Sequence, residues 1–210
     1  MKKNKVRQLT IAALLIAMGI IIPMVMPRIT IGPASFTLAS HVPLFIAMFF
    51  SPWMAIMVGL GTGLGFFLSA TPVIALRALS HLLFAVIGAL ILQKYPTIVL
   101  TKHKIVLLNW RFQVFNLLIA LIHSTAELGV VSIFYKMGNL PETYYSQGYM
   151  YSIFLLMGIG GIIHSLIDYD IAYVVASALS KQFAIPVFQK AKQIENEKKQ
   201  PNIVLSETTA

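Results

Sequence analysis

Three pairs of ionisable side chains stand inside apolar stretches of a chain in which only 11% of the residues are charged. Within each pair the two members are four positions apart, which places them on one face of a helix. Ionisable groups in apolar surroundings are costly unless they are paired, hydrated or used, so these pairs are the first candidates for function. The pairs are Arg77 with His81, His123 with Glu127, and His164 with Asp168.

The most specific chemistry belongs to Arg77. A guanidinium group presents a planar fork of donors that matches a carboxylate through two parallel hydrogen bonds. Arg77 therefore predicts an anchor for a small substrate that carries a carboxylate. A structural salt bridge with Glu127 is the alternative, and the sequence leaves both open.

Histidines and aromatic residues could complete such a site. His41 and His81 can hydrogen-bond to a ring nitrogen of a heteroaromatic substrate, and Phe36 or Tyr151 can stack on its ring. The plainer alternative for each histidine is a hydrogen bond to a backbone carbonyl. The candidate substrate-binding residues are thus Arg77, His81, His41, Glu127, His123, Phe36 and Tyr151.

The pair on the last apolar run, His164 and Asp168, lies deeper than the others, and there a structural hydrogen bond between helices is favoured.

Four of the candidates also resemble metal ligands by residue type: His41, His81, His123 and Glu127. The chain has neither His-Glu-x-x-His nor His-x-x-Glu-His spacing. We therefore predict no metal, no cofactor and no enzymatic activity for this chain. An intramembrane enzyme that uses these groups for metal or acid–base chemistry is the alternative.

The elements that must hold these residues are membrane-spanning helices. The sequence is 58% hydrophobic, and no charged residue occurs from Leu9 to Met26 or from Ile29 to Leu76. A bilayer crossing takes about 20 residues, and runs without strict alternation favour helices over a barrel. The net charge of +9 lies in short clusters without interleaved aromatic residues, which argues against nucleic-acid binding. The lack of cysteine excludes disulfides and thiolate metal sites.

Proline, glycine and polar breaks divide the chain into six predicted helices and a connection from Pro27 to Thr37. His41 would lie a few residues into the second helix. Residues 1–180 thus form a single six-helix membrane domain, and residues 181–210 form a polar cytoplasmic tail. The predicted helices are Leu9–Met26, Leu38–Phe50, Trp53–Leu68, Val73–Leu92, Leu107–Tyr135 and Tyr149–Leu179.

The basic residues predict the orientation of the bundle. Six crossings place both termini on one side, and the opposite side keeps only Arg28 and Lys136. Because cytoplasmic loops are enriched in Lys and Arg, both termini should be cytoplasmic. The basic residues on the terminal side are Lys2, Lys3, Lys5, Arg7, Lys94, Lys102, Lys104, Arg111, Lys181, Lys190, Lys192, Lys198 and Lys199.

Small residues predict where helices approach closely. Glycines at 59, 61, 63 and 65 lie at alternate positions of the third helix, a pattern typical of tight packing in membranes. The same stretch lacks the preceding strand and the basic residue of a phosphate-binding loop. On the first helix, Ala13 and Ala17 form a shallow patch near the cytoplasmic end, for which internal packing is the alternative.

The whole pattern to about Leu179 resembles the substrate-binding S components of bacterial energy-coupling factor vitamin transporters. The segments IGPASFTLASHVP at residues 31–43 and LRALSH at residues 76–81 resemble the niacin branch. The resemblance implies an S-component-like six-helix bundle in the bacterial cell membrane, which captures a vitamin under its first external loop. It also implies that Ala13 and Ala17 contact a transmembrane coupling subunit driven by two ATP-binding subunits.

Niacin is a pyridine carboxylate, so an arginine fork with histidine donors suits it chemically. Another vitamin of the same family, such as pyridoxine, pantothenate or a thiamine precursor, is an alternative cargo. A stand-alone transporter in which His164, Asp168 and Glu127 relay protons is the alternative mechanism.

Overall fold

The computed structural model describes residues 2–32, 34–100 and 105–199. Within these residues, five helical segments are long and apolar enough to cross a membrane. The chain is therefore a helical multi-pass membrane protein, as its hydropathy predicted. The five segments are Lys5–Val25, Pro52–Ser69, Pro72–Lys94, Trp110–Lys136 and Met150–Leu179.

The described elements follow one another with short connections. The strands are β1 (Arg28–Ile31) and β2 (Ala34–Thr37), and a π-helix covers Met150–Ile159. Two short 3-10 helices, Pro96–Val99 and Val106–Leu108, precede α5. The α-helices are α1 (Lys2–Val25), α2 (Val42–Phe50), α3 (Pro52–Ser69), α4 (Pro72–Lys94), α5 (Trp110–Lys136), α6 (Glu142–Tyr145), α7 (Gly160–Leu179) and α8 (Pro186–Lys199).

The second helix is shorter than predicted. It begins at Val42 rather than Leu38, so His41 precedes the helix as its N-cap instead of lying inside it. The nine residues of α2 extend about 14 Å, roughly half of the hydrocarbon thickness. The cause is a turn at residues 38–41, in which Ala39 has a φ of +64° that a helix cannot accommodate. In the described part of the chain, the six predicted crossings are therefore matched by five long helical segments.

The connection predicted from Pro27 to Thr37 contains a β-hairpin that the sequence analysis missed. Strand β1 pairs antiparallel with β2, with Ile31 opposite Ala34 and Arg28 opposite Thr37. Gly32, at the turn, has a φ of +55°, which glycine adopts without steric cost. The structure is thus not purely α-helical, and we call the end of the bundle that carries this hairpin the hairpin end.

Side-chain contacts give the direction of each long helix. A Cβ at Gly61 would meet the side chain of Ile16, and one at Gly65 would meet Ile20, so α1 and α3 run parallel. Since both run toward the hairpin end, residues 26–51 return from that end to the other. The segments α4, α5 and α7 then alternate in direction. Between α4 and α5, Arg77 meets Glu127 and His81 meets His123. Between α5 and α7, His123 meets Ser165 and Asn116 meets Asp170.

The prediction of tight packing at the α3 glycines is confirmed. A Cβ at Gly59 would lie 2.6 Å from Leu82 Cδ2, and one at Gly63 would lie 2.8 Å from Leu79 Cγ. The glycines therefore let α3 approach both α1 and α4 closely.

The last predicted membrane helix is present from Met150 to Leu179, but its first ten residues are π-helical. The predicted polar tail contains α8, whose Phe188 ring lies 5.3 Å from Phe49 and 6.0 Å from Tyr173. Lys190 donates to the Gln93 carbonyl at 3.0 Å, so α8 covers the end of the bundle opposite the hairpin.

Candidate functional site

A cavity of about 540 Å³ opens among the elements at the hairpin end. Its walls come from α1, the hairpin, α3, α4, α5 and α7, and the loop that contains α6 forms part of its rim. Because α4 begins beside this cavity, Arg77 and His81 enter it within the first three turns of the helix. The volume falls in the roughly 300–1,000 Å³ range of small-molecule sites. We call this cavity the pocket.

Arg77 already has a carboxylate partner. Its Nε donates to Glu127 Oε1 at 3.2 Å, and its Nη2 donates to Glu127 Oε2 at 3.1 Å. The salt bridge considered from the sequence is therefore present. A guanidinium has a second pair of donors, on Nη1 and Nη2, and no described residue hydrogen-bonds to Nη1. Arg77 can thus hold Glu127 with one edge and a second carboxylate with the other.

Glu127 also lies close to the histidines of α4 and α5. His81 Nε2 lies 2.8 Å from Glu127 Oε1, and His123 Nε2 lies 3.8 Å from the same oxygen. The His123 side chain stands behind His81, outside the pocket lining, and its ring centroid is 4.6 Å from that of His81. Buried carboxylates require such partners, because a lone charge in an apolar interior is costly.

His41 connects this cluster to α7 through Asp168. Its Nδ1 and backbone nitrogen lie 3.1 Å and 2.9 Å from Asp168 Oδ2, and the backbone nitrogen of Ala39 lies 2.8 Å from Oδ1. Asp168, with 0% of its surface exposed, thereby stabilises the positive-φ turn that precedes α2. The structural role expected for Asp168 is present, although the contact is to this turn rather than to another helix.

The other three histidines of the described residues surround His41. Its ring centroid lies 4.8 Å from that of His81, 4.5 Å from that of His123 and 5.0 Å from that of His164. His164 was predicted to lie deeper than the other candidates, but its side chain lines the pocket wall. Its Nε2 is 3.1 Å from the Ser40 hydroxyl oxygen.

Of the two aromatic residues considered for stacking, only Phe36 lies in the pocket. Its ring centroid is 5.6 Å from that of His164, and it packs over Gly160. Tyr151 is 43% exposed and is not among the residues that line the pocket. The π-helix that begins at Met150 makes periodic spacing an unreliable guide to which way Tyr151 faces.

The rim supplies residues that the sequence analysis did not consider. Asn139, Leu140 and Tyr144 line it, next to Arg77. Burial raises the pKa of Tyr144, so its hydroxyl stays protonated and can donate a hydrogen bond at neutral pH. Ser40 was also missed, because a serine in an apolar run gives no signal of its own.

An aromatic layer closes the pocket on the side away from the hairpin. Phe45 lies 5.1 Å from Phe84 and 4.6 Å from Tyr169, measured between ring centroids, and all three are fully buried. The pocket is therefore reached from the hairpin end. On the outside of the bundle, Ala13 and Ala17 are exposed on α1.

Comparison with known proteins gives one strong match. The chain is 48% identical over 202 residues to the niacin transporter NiaX of Lactococcus lactis subsp. cremoris (strain MG1363), covering 94% of this chain and 86% of that protein. No family model matches the chain, and no solved structure matches it. The resemblance to the niacin branch inferred from the sequence is confirmed, and the chain belongs to the same family as the niacin transporter NiaX.

Proposed function

We propose that this chain is the substrate-binding subunit of a vitamin importer and that it captures niacin, as nicotinate, in the pocket. The observation that carries the proposal is Arg77, which lines the pocket and makes no described hydrogen bond through Nη1, in a chain related to a niacin transporter. A carboxylate is the group that this edge recognises best.

The remaining pocket residues suit a pyridine ring. With the carboxylate on Arg77, the ring lies toward Phe36, which offers a stacking surface. The ring nitrogen accepts a hydrogen bond from Ser40, His41 or His164. These three lie together, since the Ser40 hydroxyl oxygen is 3.2 Å from His41 Nδ1 and 3.1 Å from His164 Nε2. Nicotinamide lacks the negative charge that the guanidinium edge requires, so it should bind more weakly.

The proposed topology has six crossings with both termini in the cytoplasm. Residues 26–51 form the second crossing, with the hairpin and the turn at residues 38–41 in the outer half and α2 in the inner half. Irregular backbone at membrane depth is tolerated where it is buried in protein or lines a cavity. Basic residues support this orientation: Lys5, Arg7, Lys94 and Lys190 are at the end opposite the hairpin, which is then cytoplasmic.

Energy for uptake would come from partners. The proposed partners are a transmembrane coupling subunit and two ATP-binding subunits, and this chain itself has no enzymatic role. Ala13 and Ala17 offer the coupling subunit a shallow surface, because both are exposed on α1 while Ala12 and Leu15 pack inward. Small side chains are what close helix contact in a membrane requires.

Titration calorimetry of the purified protein with nicotinate and nicotinamide tests the capture role. We expect nicotinate to bind at least about 10-fold more tightly, the change associated with about 1.4 kcal/mol. Equal binding of the two, or no binding of either, would contradict the proposal. Tryptophan fluorescence is a poor substitute, because Trp53 and Trp110 are exposed at the end opposite the pocket.

Vesicle uptake assays test the requirement for partners. We expect labelled niacin to accumulate only when the coupling and ATP-binding subunits are present and ATP is supplied. Accumulation by this chain alone, driven by a proton gradient, would instead identify a stand-alone transporter.

A further inference from the structure

One buried nitrogen, behind the histidines that line the pocket, has no hydrogen-bond partner among the described residues. His123 is 1% exposed, and its Nδ1 lies 3.0 Å from the hydroxyl oxygen of Ser165. Its Nε2 is buried and makes no hydrogen bond with the described residues, and Glu127 Oε1 is 3.8 Å away. Buried polar atoms without partners are rare in native proteins, and coordination of a bound ion is one way in which such an atom is satisfied.

Three other potential metal ligands lie close to this nitrogen. His41, His81, His123 and Glu127 each offer one ligand atom, and these four atoms all lie within 4.8 Å of one another. Tetrahedral zinc with bonds of 2.0–2.2 Å places its ligands about 3.3 Å apart. The separation of 2.8 Å between His81 and Glu127 and that of 3.8 Å between His123 and Glu127 bracket this value.

Further contacts hold three of these four groups in an orientation suited to a cation. Asp168 accepts from Nδ1 of His41, and Ser165 pairs with Nδ1 of His123, so Nε2 of each ring is left for another partner. Arg77 holds both oxygens of Glu127, and Oε1 also lies 2.8 Å from His81 Nε2 and 3.8 Å from His123 Nε2. Carboxylates and hydroxyls on the far nitrogen of a histidine are typical of metal sites, where they set the ring orientation.

We propose that His41, His81, His123 and Glu127 form a binding site for one divalent transition-metal ion of the zinc class at the base of the pocket. Three imidazoles with one carboxylate favour zinc, nickel, cobalt or iron over calcium and magnesium, which prefer oxygen ligands. This differs from the sequence-based prediction of no metal, because the four residues come from three separate elements and have no motif spacing.

The charge of the pocket gives the ion a role in capture, and this part of the inference rests on the proposed function. Around the base of the pocket, Arg77 pairs with Glu127 and His41 pairs with Asp168, so with neutral imidazoles one cation and two carboxylates leave one net negative charge. Arg28 also lines the pocket but is exposed at its rim. A divalent ion reverses the sign of the base, which then attracts an anionic vitamin and is neutralised by it.

Metal content and metal titration test the site without any vitamin. The full chain is purified through a peptide tag that contains no histidine, and metals are measured by elemental analysis before and after dialysis against a chelator. We expect one equivalent of a divalent metal, or one equivalent bound on titration with Zn²⁺, and a Co²⁺-substituted form with the absorption bands of nitrogen-ligated cobalt. Failure to bind either Zn²⁺ or Co²⁺ would overturn the proposal. A water molecule or a proton shared between the four side chains would then account for their arrangement.

Two matched variants locate the ion. His123→Asn keeps an amide near the position of Nδ1, where it can bond Ser165, and removes only the ligand nitrogen. We therefore expect metal affinity to fall by more than the roughly 10–100-fold that results when a residue hydrogen-bonded to a metal ligand is changed. His164→Asn should keep the metal. His164 belongs to a second group of possible ligands with His41 and Asp168, so loss of the metal from His164→Asn alone would overturn the assigned ligand set. Thermal unfolding of both variants in the metal-free state reports whether either change disrupts the fold.

Nicotinate titrations of the metal-loaded and metal-free protein test the coupling. We expect binding to weaken at least about 10-fold on metal removal and to recover when Zn²⁺ is restored. Equal affinity in both states would overturn the coupling. Failure of the metal-loaded protein to bind nicotinate at all would contradict the proposed function, whereas the metal measurements, made without vitamin, would still decide the site.

Discussion

Arg77 and Glu127 meet edge to edge across the contact between α4 and α5, with Nε 3.2 Å from Oε1 and Nη2 3.1 Å from Oε2. The arrangement serves two purposes at once. It neutralises the buried glutamate, and it fixes the guanidinium plane while leaving Nη1 without a described hydrogen bond in a residue that lines the pocket. A site whose charged anchor is already oriented loses little conformational entropy when the ligand arrives.

The fork of Arg77 should matter more than its charge. Arg77→Lys keeps a cation but cannot bind Glu127 and a ligand carboxylate with two planar edges. We expect nicotinate affinity to fall on the order of 10- to 100-fold, the equivalent of one or two charge-assisted hydrogen bonds, and the preference over nicotinamide to shrink. Calorimetry measures both. Arg111→Lys, at the opposite end beside Trp110, is the matched control and should bind normally.

Replacing Phe36 and replacing Tyr151 should affect nicotinate affinity differently, although both residues are aromatic. Phe36→Ala removes a ring from the pocket wall, and we expect nicotinate affinity to fall by about 2- to 10-fold, as loss of an aromatic contact worth about 0.5–1.5 kcal/mol implies. Tyr151→Ala should leave binding unchanged, because Tyr151 does not line the pocket. If Tyr151→Ala weakened binding and Phe36→Ala did not, the wall of the pocket would be wrongly assigned.

The turn before α2 should depend on Asp168. The Asp168 carboxylate accepts hydrogen bonds from the backbone nitrogens of Ala39 and His41 and from His41 Nδ1. Asp168→Asn replaces one of its oxygens with an amino group, which cannot accept, so at least one of these donors is left without a partner. We expect the free energy of unfolding to fall by about 2–4 kcal/mol, measured by thermal or denaturant unfolding in detergent.

Asp170→Asn provides the comparison for Asp168. The partners of Asp170 are the side-chain amides of Gln113 and Asn116, which can rotate to present an oxygen instead of a nitrogen. Its loss of stability should be clearly smaller. Equal losses would mean that the turn does not depend on the Asp168 contacts.

Helix packing should respond differently to alanine at two glycines. Gly63→Ala brings a Cβ to 2.8 Å from Leu79 Cγ and 3.7 Å from the Leu79 backbone, so we expect a loss of about 1–3 kcal/mol from overpacking. Gly129→Ala meets nothing within 4 Å and should be neutral or stabilising by up to about 1 kcal/mol, through helix propensity. The changes in the free energy of unfolding of the two variants should therefore differ in sign or clearly differ in size.

The absence of cysteine makes the proposed topology directly measurable. Single cysteines at Lys5, Lys136 and Lys190 occupy exposed sites, so a membrane-impermeant maleimide can reach them. In intact cells we expect labelling only at Lys136→Cys, and labelling at the other two after permeabilisation. Opposite accessibility of Lys5→Cys and Lys190→Cys would mean that residues 26–51 do not cross the membrane. The unaltered chain is the unlabelled control.

The β-hairpin has a local signal in the sequence that the helix assignment passed over. Ile29, Thr30 and Ile31 are β-branched and favour strands, and a Gly-Pro pair follows them, which is typical of a hairpin. The π-helix at residues 150–159 is different, since no local pattern in an apolar run distinguishes it from an α-helix. Its effect on the direction of Tyr151 could not be predicted.

The sequence by itself determined the membrane environment, the positions of the long helices and the presence of ionisable residues within them, because hydropathy and charge are local properties that act over about 20 residues. It also determined that His81 shares a helix face with Arg77, and His123 with Glu127, through their spacing. Only the tertiary structure decided which faces meet. The convergence of His41, Glu127 and Asp168 depends on a strained turn and on helix rotations, and these are set by packing between residues far apart in the chain.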